Sequence, residues 1–115
     1  MQPVKAKGGA REQERAEARA LEESLLPQTA PDVPGYDIAL AWQPSPEVRG
    51  DYFDAFPLSA GQTALCVADV SRKGLAAARL ASELQGAVRG FAPEAASPAE
   101  LCTQVNQALC RPGGE

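Results

Sequence analysis

The 115-residue, 12.0 kDa chain has room for one modest domain, with Leu, Ile, Val and Phe making only 22 residues and Ala another 22. A net charge of −4 and a pI near 4.8 argue against a nucleic-acid binder, which would carry a basic footprint. The complete lack of His excludes imidazole general-base chemistry and His-ligated zinc, and no apolar run approaches the roughly 20 residues of a membrane span.

The opening Met1–Ala10, with Gly8-Gly9, reads as a flexible tail; it lacks the apolar stretch of a secretory signal. From Arg11 to Leu26 the residues are strong helix formers, with Glu and Arg three to four apart. Only Leu21 and Leu25 supply an apolar stripe, so this is a surface or linker helix, stopped by Pro27. The charge is uneven: residues 1–20 hold five basic and three acidic groups, the remainder six and twelve.

After Pro27, Pro31 and Pro34, the run Tyr36–Gln43 alternates and predicts a first strand with Tyr36, Ile38, Leu40 and Trp42 on one face. Trp42 is placed in the core. Asp51–Leu58 and Thr63–Val70 predict two further strands joined as a hairpin through Ser59-Ala60-Gly61-Gln62. Beyond Gly74, apolar residues recur at three and four (Ala77, Leu80, Ala81, Leu84, Val88, Phe91), the period of a packed helix. Ser97-Pro98-Ala99-Glu100 is a capping box opening a last helix striped by Leu101, Val105 and Leu109. The class is α+β with an antiparallel sheet and two packed helices.

Chemistry concentrates at two strand ends. Arg49-Gly50-Asp51-Tyr52-Phe53-Asp54 opens one hairpin strand, and Ala68-Asp69-Val70-Ser71-Arg72-Lys73-Gly74 closes the other. Pairing would bring Asp51 and Asp69, with Asp54 as a further candidate, to one edge of the sheet. Converging carboxylates without a cation repel each other and ask for a metal. Oxygen donors with neither His nor thiolate suit Mg²⁺ or Mn²⁺. The competing account is that these are turn-capping aspartates.

These residues resemble a known family. Leu25-Leu26-Pro27, Pro34-Gly35-Tyr36, Arg49–Asp54 and Asp69–Ala77 occur in the order seen in SpoIIE-like phosphatases, a bacterial branch of the PPM-type (2C-type) metal-dependent serine/threonine phosphatases. The resemblance covers about Leu21 to Leu109. It implies an α-β-β-α sandwich, of which residues 27–115 would be the N-terminal portion, with a binuclear Mn²⁺ or Mg²⁺ site at one end. Asp51 and Asp69 match metal ligands, and the main-chain carbonyl of Val70 matches another. The implied reaction is hydrolysis of phosphoserine or phosphothreonine by a metal-activated water, with no side-chain nucleophile. The implied partner is a phosphorylated regulator of the anti-anti-sigma type, with a sensor domain or self-association through the 11–26 helix.

Two positions depart from the family pattern, Arg49 and Arg72 standing where Gly is usual. Arg49 is a candidate contact for substrate phosphate; the plainer account of both is a solvated surface Arg. The family domain also continues into a later Asp-Gly motif carrying further ligands. The expectation is therefore an incomplete domain, inactive or unstable by itself. The alternative function is a non-catalytic signalling module retaining half the fold and pairing through its first helix. Cys66, Cys102 and Cys110, an odd number without a CxxC pair, read as reduced thiols of a cytoplasmic protein.

Overall fold

The computed structural model describes residues 2–110, with side chains from Gly9 onward. Helix α1 spans Gln2–Leu25, strands β1 and β2 span Asp51–Pro57 and Thr63–Asp69, helix α2 spans Gly74–Phe91, and α3 spans Pro98–Leu109. A single 3₁₀ turn, Ala92–Glu94, links α2 to α3. The α+β class stands: three helices and one two-stranded antiparallel sheet. Among the described residues no helix is long and apolar enough to cross a membrane.

α1 begins earlier than its composition led us to expect. Its backbone is already helical at Gln2, so Gln2–Ala10 forms part of the helix rather than a separate tail. Met1 lies outside the described residues. Lys, Ala and Gln at the start are good helix formers, and a helix nucleated further along extends through Gly8-Gly9 at a cost of about 1 kcal/mol per Gly. The C-terminal half of α1 is not a bare linker. Ala18, Glu22 and Leu25 are buried, and Ala18 packs with Val48, Ala77 and Ala78. Small side chains on both helices permit this close approach to α2. Gln85 on α2 donates from Nε2 to the Leu25 carbonyl at 2.7 Å, satisfying a group that the end of α1 leaves without a helical partner.

The first predicted strand does not form as a strand. Residues 36–43 form neither helix nor strand, and among the described residues the sheet contains β1 and β2 alone. The alternation itself survives in the burial. Ile38, Leu40 and Trp42 are half-buried while Asp37, Ala39, Ala41 and Gln43 are exposed. Tyr36, assigned to the same face, is 76% exposed. Periodicity gives the facing of a chain, but a strand also needs a ladder partner, and the described residues offer none here. Trp42 accordingly sits at the margin of the packing rather than within it.

The hairpin forms in the expected register, from Asp51 opposite Asp69 to Pro57 opposite Thr63. Its turn places both Ala60 and Gly61 at positive φ, 61° and 75°, with Gln62 N–H donating to the Ser59 carbonyl at 3.3 Å. That double reversal is the pattern of a type I′ turn, whose twist suits paired strands. The inner face of the hairpin (Tyr52, Phe56, Cys66, Ala68) packs with Leu25, Ala81, Val88 and Val105 in the main core. The outer face is open: Leu65 and Val67 are 67% and 89% exposed. α3 starts as its sequence predicts, Ser97 Oγ accepting from Glu100 N–H at 3.1 Å with Pro98 in the first turn.

Candidate metal centre

Asp51 and Asp69 form the terminal rung of the ladder, one opening β1 and the other closing β2. Because side chains alternate along a strand, both stand on the hairpin's outer face, and both are exposed. Directly opposed residues have Cβ atoms roughly 4.5–5.5 Å apart, so two like charges here destabilise the pairing unless a cation neutralises them. Val70 follows one residue past the ladder and its side chain is buried.

The backbone around this rung is tightly fixed. Gly50 has φ +78°, and a Cβ there would stand 2.9 Å from the Cβ atoms of both Ala77 and Val70. Only Gly permits both the conformation and the approach of the chain to α2. Gly74, at φ +67°, donates its N–H to the Val48 carbonyl at 2.8 Å. The segment entering β1 is thereby tied to the start of α2. The two Arg departures leave this geometry intact, since the positive-φ positions are Gly50 and Gly74 themselves rather than residues 49 and 72. Arg49 is exposed beside the rim, consistent with a solvated side chain.

Asp54 does not join the rim. Three residues beyond Asp51, it faces the opposite side of β1 and is buried. Its Oδ2 accepts from Tyr52 Oη at 2.5 Å and from Arg89 Nε at 2.7 Å, while Oδ1 accepts from Arg89 Nη2 at 2.7 Å and Ala55 N–H at 3.0 Å. With both oxygens occupied and turned inward, Asp54 is an ion-pair partner and not a ligand candidate. Burial pushes its pKa upward, but the Arg89 and Tyr52 hydrogen bonds and the Ala55 amide outweigh that and hold it below 3.8. Burial and the hydrogen bond to Asp54 push the Tyr52 phenol well up. Burial, then the Asp54 charge, raises the Cys66 thiol. Arg89 also lies over the Phe56 ring, 5.2 Å from its centroid.

Two residues here were not singled out from sequence. Arg89 shares a spacing of four with Ala81 and Gln85 on α2, the one sequence signal that sets it on the helix face toward Asp54, where its side chain stays half exposed. Glu22 on α1 is buried and paired with Arg19 at 2.6 Å, while Arg19 also donates to the Ser45 carbonyl. Burial raises the Glu22 pKa against the lowering effect of Arg19, with a smaller upward push from the negative charge of Asp51. Among the described residues no three or more acidic or Cys side chains gather as a metal-binding group. The rim offers two carboxylates and the Val70 main chain. Oxygen donors alone are the chemistry that Mg²⁺ or Mn²⁺ prefers.

Comparison with known proteins supports the same grouping. Residues 59–115 match the family model for Stage II sporulation protein E, SpoIIE. Asp69 and Val70 lie inside that stretch and Asp51 just before it. The chain is 30% identical over 96 residues to Protein IcfG of Synechocystis sp. (strain ATCC 27184 / PCC 6803 / Kazusa), an alignment covering 84% of this chain and 15% of that protein. No solved structure matches. The α+β fold, with Asp51 and Asp69 opposed at one end of the sheet, is consistent with a truncated PPM-type fold. The family-model match and the alignment to Protein IcfG together support a SpoIIE-like fragment of that fold. The chain spans 15% of the length of the curated relative it matches.

Proposed function

We propose that this chain contributes the Asp51–Asp69 half of the metal site of a protein serine/threonine phosphatase acting in bacterial signalling. The observation that carries the reading is the opposition of Asp51 and Asp69 on one exposed rung. When bound, Mn²⁺ or Mg²⁺ would neutralise that pair and activate a water for attack on a phosphoserine or phosphothreonine. The chain's own part is to hold two carboxylates and the Val70 carbonyl at one rim, with Gly50 and Gly74 fixing the backbone behind them. No side-chain nucleophile is needed, in keeping with a chain that contains no His. The substrate would be a phosphorylated regulator protein of the anti-anti-sigma type.

Titration calorimetry with Mn²⁺ tests this on wild type, Asp51→Asn and Asp69→Asn. Wild type is expected to bind and both variants to lose the heat. Identical heats in all three would remove the metal reading. The second reading, a non-catalytic module, draws on the small ligand set among the described residues. It would be favoured if wild type takes up no Mn²⁺ yet self-associates through α1.

A further inference from the structure

Between its charged end rung and its turn, the β1–β2 hairpin carries apolar residues on both faces. The inner face carries Tyr52, Phe56, Ala64, Cys66 and Ala68; the outer carries Phe53, Ala55, Leu65 and Val67. Hydrophobic burial is non-directional and discriminates poorly between two such faces. Turning the hairpin over would bury Leu65 and Val67, which now stand open, and would expose Cys66. One charged side chain tells the faces apart at the middle of the ladder. Asp54, opposite Cys66, occupies the central rung of seven, while Asp51 and Asp69 occupy the end. It is 3% exposed and completely bonded, two of its contacts coming from Arg89 on α2. Those bonds form only with the inner face on the helix.

From this we infer that the Asp54–Arg89 pair selects which face of the hairpin lies on α2, and so positions Asp51 and Asp69 outward. Fixing a register is the best-attested use of buried ionic groups, here the buried Asp54 carboxylate held by the half-exposed Arg89, and their net contribution to stability is often small. The pleat carries the choice along the strand: with Asp54 held inward, the odd-numbered residues of β1 must face out. Asp54 and Arg89 are then positioning residues for the rim. In that role they rest on the proposed metal site, although the choice of face does not.

The test uses thiol labelling of the full chain in a Cys102→Ser, Cys110→Ser background, so that Cys66 reports the inner face. A companion with Cys66→Ser and Val67→Cys reports the outer face. In wild type the Cys66 thiol is expected to react slowly and the one at position 67 fast. Arg89→Glu, which sets a carboxylate against Asp54, should speed Cys66 by about tenfold and slow position 67, with helical circular dichroism retained. Arg89→Lys should keep the wild-type pattern. Faster reaction at both positions would overturn the inference, because the pair would then be holding the fold together rather than choosing its face. Unchanged rates at both would overturn it equally. Mn²⁺ binding measured on the same proteins should weaken only where the labelling reverses. If wild type binds no Mn²⁺, the phosphatase reading falls while the labelling still decides the facing.

Discussion

Asp51 and Asp69 face each other across the last rung of the hairpin, two exposed like charges on one side of the sheet. Opposed like charges oppose strand pairing by a few tenths of a kcal/mol up to about 1 kcal/mol. The metal-free chain should therefore gain up to about 0.5 kcal/mol on Asp51→Asn, the exposed position and salt screening keeping the gain small. The same variant should lose any rise in melting temperature that Mn²⁺ gives the wild type. Thermal melts with and without Mn²⁺ read both effects. Destabilisation by Asp51→Asn in the absence of metal would mean that the carboxylate has a structural partner instead.

The two buried carboxylates titrate in opposite senses. Asp54 has its folded pKa held below 3.8, so the stability from its ionised form is complete above about pH 4 and disappears as pH falls through that lower value. Glu22 is raised above 4.5, so the folded chain takes up a proton before the unfolded one, and stability rises as pH falls towards 4.5. Melting temperature against pH should climb gently on acidification and then drop below about pH 4. Asp54→Asn should flatten the drop, and Glu22→Gln the climb. A drop unchanged in Asp54→Asn would place the acid-sensitive group elsewhere.

Arg89→Met tests the strength of the clamp itself. Removing one partner of a fully buried pair costs about 3–5 kcal/mol. The Arg89 side chain is 50% exposed, so water shares its charge and the loss should be nearer 2 kcal/mol. Urea unfolding at pH 7 measures it. A loss below about 0.5 kcal/mol would mean that solvent replaces the guanidinium at Asp54.

What the sequence disclosed divides along the line between local and distant interactions. Ser97 capped its helix, Gly61 turned its hairpin, and Asp51 met Asp69, because each depends on neighbours or on one short connection. The run at residues 36–43 has the alternation of a strand, but no ladder partner for it lies among the described residues. Asp54 reads as a rim residue in the sequence because its proximity to Asp51 hides opposite facing across three residues of a pleated strand. Its partner Arg89 lies 35 residues away on a helix face otherwise read as apolar, and no local pattern joins the two.

Gly50 should tolerate no side chain. Gly50→Ala places a Cβ 2.9 Å from Ala77 and Val70 while forcing a residue into φ +78°. Left-handed strain of about 1–2 kcal/mol and overpacking of about 1–3 kcal/mol should together cost roughly 2–5 kcal/mol. The backbone shift needed to relieve them would displace Asp51, the next residue. Mn²⁺ affinity should therefore fall together with stability. Gly35→Ala provides the comparison: φ is +84°, yet no atom lies within 4 Å of the added Cβ. Equal losses at the two positions would show that conformation alone, without the contact to α2, sets the requirement for Gly50.

The hairpin turn carries the reverse opportunity. Ala60 is the one non-Gly residue at positive φ among the described residues, at 61° on the first central position of the turn. Asn accepts that region far more readily than Ala, and Asn-Gly is the preferred pair for a type I′ turn. Ala60 is exposed, so the replacement disturbs no packing. Ala60→Asn should stabilise the chain by about 0.5–1 kcal/mol. Because the turn sets the register that opposes Asp51 and Asp69, Mn²⁺ affinity should hold or improve. Urea unfolding gives the first quantity and calorimetry the second. A stability gain with weakened Mn²⁺ binding would show that the Ala60 strain helps set the rim, and that the turn and the distant rung are coupled through the twist of the strands.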